Sequence, residues 1–308
     1  MYGLIIIGGG PAGVAAGIYA ARKKIKTLLI IESFGGQSLT SADVQNWIGT
    51  KSVSGYDLAK MLEDHLKAQE DAEILEGSLA TKIEKIEKGF RVTTSDGKTY
   101  ETITILLTSG SSRRKLGVPG EKELDGKGVV YCTICDGPIF KNKVVAVVGG
   151  GNSALEGVVD LIPYATDIYL MTRSELRGDP ITQEKVKASP KVKILTMNKV
   201  KEILGAQTGK VTGIKYEDKE GNEQELKLDG VFVEIGSVPN SEIVRGLVEI
   251  NPQGEVVVDH KTQRSSLLGI WAAGDVSDVL YKQNNISAGD AVKAVLNIYD
   301  YLHKSNQM

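Results

Sequence analysis

Two glycine-rich segments, each placed between an apolar run and a helical pattern, constrain the fold of this chain more than any other feature. The first, residues 8–13 (GGGPAG), follows the apolar run 4–7 and precedes a helical pattern over 14–21. Its glycines would supply a tight turn, close approach of the backbone to a pyrophosphate and close helix packing, with phosphates at the helix N-terminus. Glu32 follows the next predicted strand, 27–31, at close to the roughly 20 residues expected of a ribose-binding acid. This pattern predicts a dinucleotide-binding unit.

The second segment, residues 149–154 (GGGNSA), follows the apolar run 144–148 and precedes a predicted helix over about 155–161. The next predicted strand, 167–171, ends without an acid. It is followed instead by donors and positive charge that suit a 2′-phosphate, namely Thr172, Arg173, Ser174 and Arg177. The sequence therefore predicts FAD at the first turn and NADPH at the second.

Cys132 and Cys135 are the only cysteines of the chain and lie between the two glycine turns. Cysteine reacts as its thiolate, and a Cys-x-x-Cys spacing can lower the thiol pKa towards neutrality and lets the two sulfurs form a disulfide. Asp136 follows directly and could move the proton that thiol–disulfide exchange requires, provided that burial raises its pKa. We predict a catalytic dithiol, and two buried, inert cysteines are the plainer alternative.

Half of a zinc site is a further alternative for the cysteine pair. Zinc would need two more soft ligands, whereas the three histidines, His65, His260 and His303, lie in unrelated segments. The sequence therefore predicts no metal.

Composition limits the classes of partner. A net charge of −2 and a pI near 6.0 give no reason to expect nucleic acid or an anionic membrane. The uncharged stretch 4–21 is interrupted by residues 8–11, and no basic segment precedes it. Two cysteines form no framework of structural disulfides of the kind found in secreted domains. These features predict a cytoplasmic protein without a membrane segment.

The chain repeats one plan. Each glycine turn is followed by a β-rich stretch. After the first it spans 83–107, with a turn at 96–97, and after the second it spans 211–228, with a turn at 220–222. Glycine and proline mark connectors at 117–120 and 236–240, and the tail adds a strand at 269–273 and a helix over about 288–302. We predict an α/β protein of two Rossmann-like three-layer domains, with residues 117–239, an NAD(P)H domain carrying the cysteine pair, inserted into an FAD domain of residues 1–116 and 240–308.

Taken together, these residues resemble the low-molecular-weight thioredoxin reductase family and, equally, the C-terminal part of the alkyl hydroperoxide reductase flavoprotein subunit. The resemblance covers essentially the whole chain. The segments that carry it are 8–13, 35–37, 45–47, 108–110, 132–137, 149–154, 273–275 and 281–283.

The resemblance implies a homodimer whose domains alternate between two orientations. One brings nicotinamide to the flavin, and the other brings the cysteine pair to it. It implies that Cys135 faces the flavin, that Cys132 attacks the disulfide of the partner, and that Asp136 is the acid. The residues expected to hold FAD are Gly8, Gly10, Pro11, Ala12, Gly13, Glu32, Gly36, Gln37, Asn46, Thr108, Gly110, Gly274, Asp275, Lys282, Gln283 and Ala288. The residues expected to hold NADPH are Gly149, Gly151, Asn152, Ser153, Ala154, Thr172, Arg173, Ser174 and Arg177.

Two departures from the family pattern matter. Typical thioredoxin reductases carry His-Arg-Arg and a further arginine after the second strand, whereas this chain has residues 172–177 (TRSELR). The hydroperoxide reductase flavoproteins place an acid at the position of Thr172, which suits NADH, and that acid is missing too, so NADH stays possible. Those flavoproteins also have an N-terminal thioredoxin-like module, whereas this chain starts at the FAD strand. If this protein supplies electrons to a peroxidase, a separate thioredoxin- or glutaredoxin-like protein must then carry them.

The leading hypothesis is an NADPH-dependent enzyme of the thioredoxin-disulfide reductase type. It would pass electrons through FAD and the Cys132–Cys135 pair to a small thioredoxin- or glutaredoxin-like protein disulfide. A second hypothesis keeps this relay but feeds it from another donor, such as ferredoxin or NADH. A third, of another class, is a flavin redox sensor that changes shape without turnover.

Overall fold

The structure is a computed structural model that describes residues 1–41 and 43–304, and its elements form two α/β units. In chain order the strands and α-helices are β1 (Tyr2–Ile7), α1 (Pro11–Arg22), β2 (Thr27–Ile31), α2 (Gly55–Lys67), β3 (Ala72–Glu76), β4 (Ala80–Ile86), β5 (Gly89–Thr94), β6 (Thr99–Leu107), β7 (Ser111–Arg113), β8 (Val129–Val130), α3 (Thr133–Asp136), β9 (Val144–Val148), α4 (Asn152–Leu161), β10 (Asp167–Met171), α5 (Pro180–Ala188), β11 (Val192–Leu195), β12 (Lys199–Leu204), β13 (Gly213–Glu217), β14 (Glu223–Lys227), β15 (Gly230–Val233), β16 (Ser237–Pro239), β17 (Ile270–Ala272) and α6 (Asn284–Lys304).

The first unit is built on a seven-stranded sheet in the order β3-β2-β1-β6-β5-β4, with β17 beside β6. Strands β1, β2, β3, β6 and β17 are parallel, and β4 and β5 extend the sheet in antiparallel fashion. Residues of β1 alternate between two cores. Leu4 and Ile6 pack with α1 and α6, while Ile5 and Ile7 pack on the opposite face. Because both faces of the sheet are covered, β1 reads as a continuous apolar run.

The second unit repeats this design on a smaller scale. Its parallel sheet has the order β11-β10-β9-β15-β8. Helix α4 covers one face, with Leu155, Val158 and Leu161 buried in that core. The other face packs against the antiparallel sheet β12-β13-β14. The unit therefore has three layers, with a parallel sheet in the middle.

The two units are joined by two chain crossings that pair with each other. Strand β7 leaves the first unit, β16 returns to it, and the two form an antiparallel ladder. Asn240 closes the ladder, because its Nδ2 donates to the Ser109 carbonyl oxygen at 2.8 Å and its Oδ1 accepts from the Ser112 hydroxyl at 2.9 Å. The cores of each unit draw on separate stretches of chain, residues 2–107 with 243–302 and residues 116–235.

Most predicted elements are present, with shifted ends. The turns expected at 96–97 and 220–222 join β5 to β6 and β13 to β14. Helices α1 and α4 begin earlier than predicted, at Pro11 and Asn152, because the glycine turns lead directly into them. Helix α6 begins at Asn284, four residues before the predicted start at Ala288. The Asn284 side chain there donates to the Ser38 hydroxyl at 2.9 Å, so a polar first turn is fixed by side-chain bonds that an apolar pattern does not reveal.

Candidate functional site

A cleft of about 980 Å³ opens at the carboxyl ends of the parallel strands of the first unit. It runs along the first glycine turn, reaches Glu32 at the end of β2, and continues past residues 108–112 to 273–275. This is the position at which open parallel sheets bind dinucleotides, and the volume lies in the usual range for ligand pockets.

The first glycine turn has the geometry of a phosphate cradle. A Cβ at Gly13 would lie 1.8 Å from the Gly8 carbonyl oxygen, so α1 packs directly on the turn. At Gly10, by contrast, a Cβ would have only the Gly36 Cα within 4 Å, at 3.9 Å. Gly10 precedes α1, and no side chain in the described part of the chain caps that helix. The first N–H groups of α1 are thus available to an anion, which fits the pyrophosphate of FAD.

The predicted FAD residues divide into two groups. Those that line the cleft are Gly8, Gly10, Pro11, Ala12, Glu32, Gly36, Gln37, Thr108, Gly110, Gly274 and Asp275. Those that the structure places outside its lining are Gly13, Asn46, Lys282, Gln283 and Ala288.

The second group has contacts of its own. Asn46 Nδ2 donates to Gln283 Oε1 at 3.2 Å, which joins the loop after the 3₁₀ turn Gly36–Thr40 to the start of α6. Lys282 forms an ion pair of 2.9 Å with Glu255. Gly13 lies against the Gly8 carbonyl oxygen and lets α1 pack on the turn. For these residues a direct contact with FAD stays a prediction.

A second cleft, of about 620 Å³, lies at the carboxyl ends of β9, β10 and β15 in the second unit. A Cβ at Gly149 would lie 2.2 Å from the Glu234 carbonyl oxygen, so β15 passes directly against this turn. Helix α4 starts after Gly151, again without a side-chain cap among the described residues. The predicted residues that line the cleft are Gly149, Gly151, Asn152, Ser153, Thr172, Arg173, Ser174 and Arg177. Ala154 lies outside the lining and is buried in the core beneath α4.

The residues that follow β10 in this cleft differ in exposure. Thr172 is buried, and a Cβ at Gly150 would lie 2.4 Å from its hydroxyl oxygen. Arg173 and Arg177 are exposed on the rim, and the backbone N–H of Arg177 donates to the Gly150 carbonyl oxygen at 2.8 Å. The rim thus presents two guanidinium groups near the predicted ribose position, which fits a dinucleotide that carries a 2′-phosphate.

Cys132 and Cys135 form a disulfide, with their Cα atoms 5.3 Å apart. Cys132 precedes α3, and its sulfur accepts the backbone N–H of Cys135 at 3.2 Å. Both cysteines are partly exposed, and Ile134 between them is 56% exposed. The disulfide is therefore partly accessible from solvent, as thiol–disulfide exchange requires.

Asp136 is the buried acid of α3. It is 3% exposed, and its Oδ1 has no hydrogen-bond partner within residues 1–41 and 43–304. Burial raises its pKa from 3.8 to about 7; Arg113 opposes this shift and Asp43 adds to it. The condition that the sequence analysis attached to Asp136, a pKa raised by burial, is thus met, and this carboxyl can hold or release a proton near neutral pH.

Glu234 is a buried carboxylate that the sequence reasoning missed. It lies just after β15, is 7% exposed and lines the second cleft. Burial raises its pKa to about 7; Arg113 opposes the shift, and so do hydrogen bonds from the Ser153 side chain and the Thr133 backbone N–H. Its place at the carboxyl end of a parallel strand was the signal that could have revealed it.

Other polar residues of the clefts also escaped prediction, because they lie outside the recognised motifs, some in connectors and others in helices or strands. In the first cleft they include Ser78, Thr81, Ser111, Arg245, Gln253, Asn284 and Ser287. In the second they include Arg114, Lys115, Asn198 and Lys199.

Membrane spans and metal clusters are both absent from the described residues. No helix there is long and apolar enough to cross a membrane. Nor does that part of the chain bring together three or more histidine, cysteine, aspartate or glutamate side chains that could hold a metal ion.

Comparison with protein families matches residues 2–293 to the family described as pyridine nucleotide-disulphide oxidoreductase. An alkyl hydroperoxide reductase subunit of Pseudomonas putida is 41% identical over 309 aligned residues, which is 99% of this chain but 59% of that protein. The chain therefore spans little more than half the length of this curated relative.

Among solved structures, the thioredoxin reductase of Streptococcus pyogenes MGAS5005 is 34% identical and superposes with a TM-score of 0.91, covering 99% of both chains. The Lactococcus lactis thioredoxin reductase in its FR conformation is 30% identical and covers 99% of this chain and 100% of its own, but its TM-score is 0.69. Both structures align with nearly the whole of this chain, so the fold is shared. They differ in how closely the aligned chains superpose as one rigid body.

Proposed function

This chain belongs to the pyridine nucleotide-disulphide oxidoreductases, an oxidoreductase family with two dinucleotide-binding domains, and we propose that it is a flavoprotein disulfide reductase fed by NADPH. Electrons would reach the Cys132–Cys135 disulfide through FAD and leave to a small thioredoxin- or glutaredoxin-like protein disulfide. The domain boundaries of this proposal are residues 1–116 with 240–308 for FAD and 117–239 for NADPH.

One observation carries the proposal: the disulfide segment is connected to both clefts. On one side, the Asp136 carboxyl faces Arg113, whose Nε donates to Gln37 Oε1 at 3.0 Å in the first cleft. On the other side, the backbone N–H of Thr133, next to Cys132, donates to the carboxylate of Glu234 in the second cleft. A redox-active pair between two dinucleotide clefts suits an electron relay.

The first cleft has the residues to hold FAD. The N-terminal N–H groups of α1 would bind its pyrophosphate, Glu32 would accept a ribose hydroxyl, and Asp275 would contact the chain between the two ring systems. When bound, FAD would accept a hydride equivalent from reduced nicotinamide and pass two electrons to the disulfide.

Asp136 would handle the proton of the exchange step. Reduction of the disulfide by two electrons and one proton gives one thiol and one thiolate, and a second proton gives two thiols. A carboxyl with a pKa near 7 can supply that proton and take it back when Cys132 attacks the disulfide of the partner. Its burial beside Arg113 keeps this exchange separate from bulk water.

The rim of the second cleft supports NADPH over NADH. Two exposed arginines, Arg173 and Arg177, stand where a 2′-phosphate would lie, and no carboxylate ends β10. NADH stays the second candidate donor, because Thr172 is buried and its hydroxyl packs against Gly150. A dinucleotide without the phosphate would still find the glycine turn and the start of α4 intact.

A change of orientation between the domains would complete the cycle. The paired connectors β7 and β16 are the segments about which such a movement would occur. The lower TM-score with the FR conformation of the Lactococcus lactis reductase, at full coverage, supports this part of the proposal. In the present structure Asp136 of the disulfide segment faces Arg113, which bonds Gln37, and lies near Asp43, which supports an orientation with the disulfide turned towards the first unit.

Homodimer formation is part of the proposal. Large apolar side chains are exposed at Ile48, Tyr56, Leu280 and Tyr281, between 67% and 81% of each. Ile48 lies beside the start of α6, since its N–H donates to Asn285 Oδ1 at 3.4 Å. A second copy would cover these exposed apolar side chains. A cytoplasmic location, where thiols are kept reduced, stays a prediction.

The test is an anaerobic titration of the purified flavoprotein with NADPH and, separately, NADH, followed by flavin absorbance. We expect rapid bleaching by NADPH, slower bleaching by NADH, and turnover when a thioredoxin-like disulfide is added. The matched variants Cys132→Ser and Cys135→Ser should keep flavin reduction and lose turnover. Flavin that stays oxidised with both dinucleotides would point to another donor such as ferredoxin, and reduction without turnover on any protein disulfide would point to a redox sensor.

A further inference from the structure

The buried side-chain carboxylate of Glu234 connects the segment of the cysteine pair to the second cleft. It accepts the backbone N–H of Thr133, the residue bonded directly to Cys132, and the side-chain hydroxyl of Ser153 in the glycine turn. Both partners belong to rigid elements, since Thr133 begins α3 and Ser153 lies in the first turn of α4. A Cβ at Gly157 would come within 2.7 Å of the Thr133 methyl group, so α3 is packed tightly onto α4.

The sulfur of Cys132 is placed to carry charge after reduction. It accepts the backbone N–H of Cys135 at 3.2 Å. A hydrogen bond of this kind favours the charged form of the acceptor. Reduction with two electrons and one proton breaks the sulfur–sulfur bond and leaves one thiol and one thiolate, and this geometry favours Cys132 as the thiolate.

We propose, building on the disulfide reductase function above, that Glu234 is a positioning residue that controls how easily the Cys132–Cys135 disulfide is reduced. Its ionised carboxylate, held at the residue after Cys132, opposes the negative charge of a Cys132 thiolate. Protonation of Glu234 removes that opposition. Glu234 thus acts through the Thr133 backbone and through charge, without touching the reacting atoms.

The charged groups that face Glu234 come from three elements. Arg113 on β7 favours its ionised form, Asp160 on α4 disfavours it, and Asp136 on α3 shares Arg113 with it. Asp160 also accepts a hydrogen bond from the Thr133 hydroxyl at 3.2 Å, so two carboxylates hold the same residue. The rim of the second cleft adds Arg114, Lys115, Arg173, Arg177 and Lys199.

The expected pH dependence has a definite sign. Burial raises the pKa of Glu234 to about 7. Well below pH 7 the carboxyl is neutral, and a Glu234→Gln variant should then reduce as easily as the wild type. Well above pH 7 the wild type carries the opposing charge and the variant does not, so the variant should be easier to reduce.

The experiment measures the equilibrium between the purified holoprotein and reduced and oxidised dithiothreitol at pH 6 and pH 8.5. Dithiothreitol supplies two electrons and becomes its cyclic disulfide, and alkylation of free thiols reports the reduced fraction of Cys132 and Cys135. We expect the equilibrium constants of Glu234→Gln and wild type to agree at pH 6. At pH 8.5 that of the variant should be higher by about tenfold, the equivalent of one pKa unit of interaction.

Two further variants keep the test decisive. Glu234→Asp retains the charge and should keep the wild-type pH dependence. Asp160→Asn removes a like charge, so Glu234 should ionise at lower pH. The disulfide should then become harder to reduce from a lower pH than in the wild type. This second arm holds even where Glu234→Gln does not fold.

The control is Asp290→Asn, which alters a buried carboxylate of the first unit that bonds Gln263; it should match the wild type at both pH values. A ratio between Glu234→Gln and wild type that is the same at pH 6 and pH 8.5 would overturn the proposal, because a purely structural role predicts that result. Neither NADPH nor a protein acceptor takes part, so this outcome is separate from the outcome of the flavin titration.

Discussion

Arg113 Nε donates a hydrogen bond of 3.0 Å to Gln37 Oε1, so the strand that leaves the first unit is tied to the wall of its cleft. The same arginine faces the carboxyls of Asp136 and Glu234. One guanidinium group in the connecting ladder therefore moderates both buried acids near the disulfide. The connection between the units therefore reaches both the first cleft and the carboxyls beside the disulfide segment.

Asp136→Asn should remove the proton donor of the exchange step. With a pKa near 7, the wild-type acid is protonated at pH 6 and mostly ionised at pH 8.5. The rate of the proton-dependent step should therefore fall with rising pH in the wild type. In the variant it should be lower by roughly 10²–10⁴-fold and nearly independent of pH. Stopped-flow measurement of flavin reoxidation by the Cys132–Cys135 disulfide across this range, with flavin reduction by NADPH as the internal control, checks the prediction.

The same substitution should change stability in a pH-dependent way. The pKa of Asp136 rises from 3.8 to about 7 on folding, so the folded state holds this proton to higher pH than the unfolded state. Its contribution to the free energy of unfolding consequently declines as pH rises from about 4 to 7. Urea unfolding should find Asp136→Asn similar to wild type at pH 4 and more stable at pH 8. Equal stabilities at pH 8 would contradict the burial of an ionisable group here.

Sequence reasoning succeeded where a local pattern has a local cause. The glycine turns predicted both clefts, because only glycine fits there: a Cβ at Gly13 would lie 1.8 Å from the Gly8 carbonyl oxygen. The cysteine spacing predicted the disulfide, whereas the burial of Asp136 was only a condition of its predicted role and had to be read from the structure. Glu234 was missed because its contact is with the backbone of Thr133, a residue far from it in the sequence. No period or spacing in the chain records that contact.

Gly13→Ala should abolish flavin retention. The added Cβ would collide with the Gly8 carbonyl oxygen, which is backbone and cannot move without opening the turn. The matched control is Gly289→Ala in α6, where nothing lies within 4 Å and the helix should gain up to about 1 kcal/mol. The ratio of flavin to protein absorbance after gel filtration measures the first effect, and thermal unfolding measures the second. Full flavin content in Gly13→Ala would refute the assigned role of this turn.

Arg173→Ala and Arg177→Ala should weaken binding of NADPH selectively. Each guanidinium group on the rim would donate to a 2′-phosphate, and a hydrogen bond to a charged group contributes about 1.5–3 kcal/mol. The Kd for NADPH should rise by roughly tenfold to a hundredfold for each variant, while the Kd for NADH stays within about twofold. Lys227→Ala, which alters an exposed lysine of β14, is the control. Equal losses for both dinucleotides would show that the arginines do not read the phosphate.

Asn240→Ala should loosen the ladder between the two units without disturbing either sheet. Its side chain bonds Ser109 and Ser112 on the opposite crossing, and the substitution removes both bonds. Because Asn240 is exposed, we expect a loss of only about 1 kcal/mol in the free energy of unfolding. Amide hydrogen exchange should accelerate at residues 111–113 and 237–239 and stay unchanged in β1 and β9. The matched control is Asn222→Ala, whose side chain bonds Asp218 within a single turn. If exchange in the ladder does not change, Asn240 does not hold the crossings together.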